Sequence, residues 1–320
     1  MTKSKVVALL AVLALTLTGP CLAADKYPSK PVEMIVSFAP GGGQDVTFRI
    51  FAKYAEKYLG QRIAVVNKTG GGGVIGNTEI MKSRPDGYTI GTWTNGLVTD
   101  EMVIKGVPYT YKNFLPLVHI AADPNVLSIK NSFKMDFPQF IKYAKDNPDK
   151  VSIGMGGNWT AHDFFRVKLE KATGVKFQRV PFQGGAPAIQ AVAGETCDSA
   201  TPFVPEVLPM LEGKLVTPLA VSSEKRVSAL PNIPTVRELG YDVVQYIWRG
   251  LTVPPKTPPE IVSFLENVFK KTFDDPECHD ALIKAGVNPI WKGHKEFVKY
   301  VEEEYVTYLK LVKELGVEAK

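Results

Sequence analysis

From Val32 onward, short runs of apolar and β-branched residues alternate with segments of helical period almost to the end of the chain. A helix between two strands carries the chain back over the sheet and covers its face, so repeated alternation confines the chain to layered α/β architectures. The strands expected are Val32 to Phe38, Ile63 to Asn67, Thr89 to Trp93, Leu117 to Ala121, Val126 to Lys130, Val151 to Met155, Gln178 to Pro181, Ser199 to Phe203, Thr217 to Ser222 and Gly250 to Val253. Amphipathic helices fall between them at Val46 to Leu59, Phe137 to Asp146, Thr160 to Thr173 and Ala186 to Ala193. Mostly parallel sheets are expected.

The end of the chain reads differently, as three successive helices: Pro259 to Phe273, Pro276 to Ala285 and Lys295 to Leu315. In the last, Phe297, Val301, Tyr305, Tyr308, Val312 and Leu315 recur at spacings of 4, 4, 3, 4 and 3, a single stripe suited to packing. One strand-and-helix series precedes Asn125, a second follows it, and the helices make a return. The organisation expected is therefore two lobes, residues 24–124 with 243–320 and residues 125–242, with a ligand cleft between them. A length of 320 residues accommodates two such units, and 45% apolar with 22% charged residues can bury a core in each.

Residues 1–23 read as a signal peptide: Lys3 and Lys5 precede the apolar run Val6 to Leu17, and Cys21-Leu22-Ala23 supplies small residues for cleavage after Ala23. A lipidated Cys21 is disfavoured, because Thr18-Gly19-Pro20 lacks the apolar residue expected three positions before such a cysteine. No later run reaches the roughly 20 apolar residues of a spanning helix, so the expected location is the periplasm. Loss of Lys3 and Lys5 lowers the net charge from +5 to +3, too little and too evenly spread for nucleic acid. Cys197 and Cys278 are far apart and outside any ligand-spaced motif, so a metal site is not expected. Two isolated buried thiols are the default, with a disulfide as the alternative in an oxidising compartment.

Four joints share one grammar: a strand, a short glycine-rich or polar turn, then a helix. They are Ser37-Phe38-Ala39-Pro40-Gly41-Gly42-Gly43-Gln44-Asp45-Val46, Thr92-Trp93-Thr94-Asn95-Gly96, Gly154-Met155-Gly156-Gly157-Asn158-Trp159-Thr160 with His162 beyond it, and Phe182-Gln183-Gly184-Gly185-Ala186. In an open α/β sheet the carboxyl ends of strands face the ligand crevice, so these joints are expected to converge. Glycine lets backbone N–H groups approach a bound oxygen, and helix amino termini favour negative charge there. Asp45 and Thr160 are placed to cap their helices.

The anion is not expected to be a nucleotide phosphate. Gly43 is followed by Gln44 and Asp45 rather than the lysine of a P-loop, and the third glycine of a dinucleotide fingerprint is missing. No G-x-S-x-G, H-E-x-x-H or cysteine–base arrangement is present, and His119, His162, His279 and His294 are scattered. The chain is not expected to be an enzyme, and no cofactor is implied.

From Tyr27 to about Val317 the sequence resembles the extracytoplasmic solute-binding proteins of tripartite tricarboxylate transporters, the Bug proteins. The resemblance is carried, in order, by Tyr27-Pro28-Ser29-Lys30-Pro31, Pro40-Gly41-Gly42 with Asp45 and Arg49, Gly70 to Gly76 with Asn77, and Pro85-Asp86-Gly87-Tyr88-Thr89. It continues through Val180 to Pro187, Leu230 to Val236 with Glu238 and Gly240, and Pro254 to Pro258. It implies a two-lobed periplasmic-binding-protein fold, type II-like, closing on a small carboxylate. The implied grip falls on Gly42 and Gly43 in one lobe and Gly184, Gly185 and Ala186 in the other. Phe38, Pro40 and Gln44 would line one side, Trp93 and Asn95 the floor, and Asn158, Thr160 and His162 the opposite wall; Asp45, Gly156 and Phe203 complete the candidate set.

Gln44, Trp93-Thr94-Asn95 and Asn158-Trp159-Thr160 depart from the smaller residues usual at those places. The two tryptophans suit a flat aromatic acid or shrink the pocket for a short dicarboxylate. Arg49 and Arg166 are expected to face away from the site; Arg249 is left open. The function expected is capture of a di- or tricarboxylate, or an aromatic acid, by a monomer that delivers it to membrane permease subunits. The alternative is a periplasmic sensor for a membrane signalling protein.

Overall fold

The computed structural model describes residues 27–316. The expected signal peptide and Cys21 lie outside the described residues. Two sheets organise the chain. The first has six strands in the order β11-β4-β10-β3-β1-β2 and the second five in the order β7-β6-β8-β5-β9.

The first sheet opens with β1 (Val32–Val36), β2 (Ile63–Asn67) and β3 (Thr89–Thr94), linked by α1 (Gly43–Leu59) and α2 (Val74–Lys82). β1 pairs in parallel with both its neighbours. Apart from the half-buried Glu33 it is apolar, because both faces are covered. Val32, Met34 and Val36 pack with Phe48, Phe51, Leu265 and Phe269, whereas Ile35 packs on the other face with Ile80, Trp93, Trp248 and Phe297. Each such buried side chain contributes about 1.5–3 kcal/mol through removal of apolar surface from water.

After α3 (Asn95–Val103), the long β4 (Leu115–Pro124) runs to the end of the first sheet, and one residue later β5 (Val126–Lys130) begins in the second. The second sheet continues through α4 (Phe137–Asp146), β6 (Ser152–Met155), α5 (Ala161–Thr173), β7 (Gln178–Pro181), α6 (Gly185–Ala193), β8 (Ser199–Ala200), α7 (Val204–Glu212) and β9 (Val216–Val221). The chain then returns to the first sheet as β10 (Tyr246–Val253), followed by α8 (Pro259–Phe273), α9 (Pro276–Lys284), β11 (Pro289–Lys292) and α10 (His294–Leu315). Among the described residues no helix is long and apolar enough to cross a membrane.

The expectation of mostly parallel sheets needs correction. β10 is antiparallel to both β3 and β4, β11 is antiparallel to β4, and β5 is antiparallel to β8 and β9. The cause is topological: a strand that crosses from one sheet to the other enters without a covering βα crossover, and parallel pairing requires one. β4, β5, β9 and β10 flank the two crossings, β11 adds to β4 at the sheet edge, and the parallel sets β2-β1-β3 and β7-β6-β8 carry the helices whose first turns meet.

Cys197 and Cys278 are free and buried, in the apolar clusters of the second and the first sheet respectively. Burial raises the pKa of both thiols, that of Cys278 to about 12. The native protein is therefore expected to leave both cysteines unmodified by a thiol-specific alkylating reagent, with both becoming labelled in guanidinium without reductant. Peptide mass mapping checks this, and a linked Cys197–Cys278 peptide would contradict it.

Candidate functional site

The first turns of five helices come together between the two sheets. Gly43 and Gln44 of α1 and Gly96 of α3 arrive from the first sheet; Ala161 and His162 of α5, Gly185 of α6 and Glu206 of α7 arrive from the second. With Phe38, Ala39, Phe203, Ile247 and Arg249 they line a narrow cavity of about 30 Å³. Each amino terminus presents partial positive charge, worth about 0.3–1 kcal/mol to a nearby anion.

A carboxylate of the chain itself occupies part of this positive field. Glu206 Oε1 accepts the Gly43 N–H at 3.1 Å, joining a side chain from the second sheet to a helix start from the first. Its Oε2 accepts the Phe203 N–H at 2.8 Å and lies 3.1 Å from His162 Nε2. His162 is itself buried and packs its ring against Phe203, with centroids 4.0 Å apart. Burial alone would raise the Glu206 pKa; the charge and hydrogen bond of His162, with the two backbone N–H groups, outweigh it and hold the carboxyl below its ordinary value.

The fit around Glu206 explains two glycines. A Cβ on Gly185 would stand 1.9 Å from Glu206 Oε2 and 2.5 Å from His162 Nε2, so any side chain there would expel the carboxylate. Gly184, just before it, has φ +145°, a conformation that L residues rarely adopt.

Arg249 is the second charge. It is fully buried on β10, beside a register shift at which β4 carries one extra residue, Ile120. Its Nη1 meets Asp123 Oδ2 on β4, and its guanidinium lies 5.3 Å from the centre of the Phe203 ring. Nε and Nη2 have no hydrogen-bond partner, and Nη2 lies 2.4 Å from where a Cβ on Gly43 would stand. Burial lowers the guanidinium pKa to about 9, which still leaves it charged at neutral pH beside Asp123. Leaving a buried charged donor unmatched costs about 1–3 kcal/mol or more.

The structure brings together Phe38, Gly42, Gly43, Gln44, Thr160, His162, Gly184, Gly185 and Phe203 around the cavity. Other expected residues sit elsewhere. Trp93 belongs to β3 rather than a turn and is enclosed by Phe114, Trp248 and Phe297 in the core. Asn95 bonds the Tyr308 hydroxyl at 2.6 Å and the Tyr246 carbonyl, and its neighbours Thr94 and Gly96 form the wall instead. Asp45 is turned to its own loop: it accepts the Gly41 N–H and pairs with Arg49 and Asn67.

Pro40 is exposed, and so is Asn158, which accepts from Arg179. Gly156 packs against His162 and Gly185 behind the wall, and Ala186 is buried within α6. Thr160 is the N-cap residue of α5, yet its side chain makes no capping bond; Asp163 instead accepts the Trp159 N–H. Gly42 has an ordinary φ of −71°, so its place does not demand positive φ.

Glu206 and Asp123 are not expected in the site from sequence, and Arg249 is left open there. The reading of Ser199 to Phe203 as a strand hid the start of α7, whereas β8 ends at Ala200. A signal was present in Val204-Pro205-Glu206: proline in the first turn with an acidic residue at its third position is a helix-start pattern. For Arg249 only a charge inside the apolar run Ile247 to Val253 stood out, and its partner is 126 positions away.

Two α/β lobes, each presenting helix starts to one shared cavity, define a two-lobed periplasmic-binding-protein fold of the solute-binding class. Residues 47–317 match the tripartite tricarboxylate transporter family receptor, and the chain belongs to that family. A relative from Cupriavidus necator, the UPF0065 protein in the gbd 5′ region, is 31% identical over 92% of this chain and 90% of its own. BugT of Bordetella pertussis is 27% identical over 93% of each chain. The solved periplasmic binding protein BugD superposes with a TM-score of 0.87 at 29% identity, over 92% of this chain and 100% of its own. A protein of R. palustris solved with adipate gives 0.88 at 27%, over 91% and 99%. These relatives are receptors, not enzymes, and the family's members are periplasmic.

Two outcomes follow from the buried charges. Asp123→Ala is expected to destabilise the protein by about 3–5 kcal/mol in urea unfolding, since it strands a buried guanidinium. The folded pKa of Glu206 lies below its ordinary 4.5, so the stability it contributes is present above that pH and is lost as pH falls through the lower folded value. Glu206→Gln should therefore narrow its stability gap to wild type between pH 5 and about pH 2; a gap independent of pH in that window would contradict the assignment.

Proposed function

We propose that this chain is the extracytoplasmic subunit that captures a small organic carboxylate and delivers it to the permease subunits of a tripartite transporter. The observation that carries the reading is the convergence of five helix amino termini and a buried arginine on one enclosed cavity. Such a field favours an anion. The adipate found in a relative of 27% identity supports a carboxylic acid as the class of ligand.

The mechanism is closure. The lobes comprise residues 24–124 with 243–320, and residues 125–242; a ligand that contacts both stabilises the form in which they meet. Its binding energy shifts the population toward the shape a permease reads. The mature chain begins after Ala23, acts in the periplasm and works as a monomer. Phe38, Gly43, Thr160, His162, Gly184, Gly185 and Arg249 form the ligand's surroundings.

Calorimetric titration of the mature protein with mono-, di- and tricarboxylates, aromatic acids, sugars and cations tests this reading. At least one carboxylate should bind with a Kd in the micromolar range or tighter, and Gly184→Val should abolish the binding while leaving the circular dichroism spectrum intact. Binding of a sugar or a cation with no carboxylate bound would overturn it.

A further inference from the structure

The two oxygens of Glu206 do separate things. Through Oε2, Glu206 accepts the Phe203 N–H at 2.8 Å, the reciprocal bond of a capping box at the start of α7. That bond lies wholly on the second sheet's side of the cavity. Oε1 takes no part in the cap: it reaches across to the first sheet's side, where it accepts the Gly43 N–H at 3.1 Å from a residue 163 positions away. Helix capping therefore accounts for one oxygen and leaves the other unexplained.

Gly43 begins α1, so Oε1 sits where an anion gains a backbone donor and the positive end of a helix together. Gly42 closes round the same oxygen, which lies 3.8 Å from where a Cβ on that glycine would stand. With Glu206 in place the cavity retains about 30 Å³, roughly the share of volume one water molecule takes in the liquid. The seat at the α1 amino terminus is filled by the chain's own side chain.

We propose that Glu206 is a latch, an internal ligand whose carboxylate draws the two lobes together in the absence of any bound small molecule. A second bond across the cleft, from the Thr99 hydroxyl to the Trp159 carbonyl, is 3.4 Å long and joins neutral groups, so the charged contact is the stronger of the two. Opening exchanges only the Gly43 bond for water, because Phe203 and His162 stay with Glu206 on its own side. The latch is consequently releasable without leaving the carboxylate unmatched. One consequence rests on the receptor reading: a ligand group that enters the Gly43 seat displaces Glu206, so closure on a ligand competes with closure on the chain itself.

The test needs no knowledge of the ligand. The full mature protein, stripped of bound small molecules by unfolding, dialysis and refolding, is compared by small-angle X-ray scattering at pH 7 with Glu206→Ala and Glu206→Gln, with and without millimolar acetate. Glu206→Ala deletes a group the size of acetate, so acetate serves as the probe. Wild type should be compact and indifferent to acetate; Glu206→Ala should have a larger radius of gyration that acetate restores to the wild-type value. Glu206→Gln, which is isosteric and keeps the test available should the alanine variant fail to fold, should also expand, with no response to acetate because its own side chain fills the space. A cooperative thermal melt of each variant verifies folding. Stripped wild type as expanded as the variants, variants as compact as wild type, or an expansion of Glu206→Ala that acetate leaves unchanged would overturn the latch. None of these results bears on whether a carboxylate binds in the calorimetric titration, so the receptor reading stands or falls separately.

Discussion

A buried carboxylate must be met by donors, and Glu206 is met by donors from both halves of the molecule. Gly43 offers its N–H from the first lobe, while Phe203 and His162 answer from the second. Much of the local architecture follows from that requirement. Gly185 can carry no side chain because the carboxylate lies against it, and Phe203 starts the helix that presents Glu206 while packing its ring on His162 and near Arg249. The contact exists only when the lobes are together, so the interaction that satisfies the charge also favours the closed arrangement.

The ion pair of Arg249 with Asp123 plays the complementary part within the first lobe. Asp123 lies near the end of β4, three residues before the chain enters the second sheet at Val126, and its other oxygen accepts the Asn288 N–H near β11. Arg249 lies on β10, the strand by which the chain returns. The two crossings between lobes are thus tied by one buried charge pair at the cavity base.

What could be read from the sequence was local grammar. The strand–turn–helix joints at Gly41 to Gly43, Gly156 to Thr160 and Gly184 to Ala186 announce themselves because turn chemistry and periodicity lie within ten residues, and all three turned up around the same space. Trp93 misled because tryptophan beside Asn95-Gly96 resembles a turn residue, whereas β3 extends through Thr94 and buries the ring. Glu206 was masked by prolines at 205 and 209 that obscure helical period. Arg249 was harder still: its meaning comes from Asp123 on β4, and register between distant strands is not encoded in either segment alone. The mixed sheet direction was missed for the same reason.

The central claim is that the cavity between the lobes is made for a small organic carboxylate. Mass spectrometry of the small molecules released by denaturing protein isolated from its native periplasm tests it without any assumption about the ligand. The account predicts one predominant carboxylic acid, in amount approaching one per protein molecule and retained through gel filtration. A neutral sugar or a metal ion in that stoichiometry, with no carboxylate beside it, would contradict it.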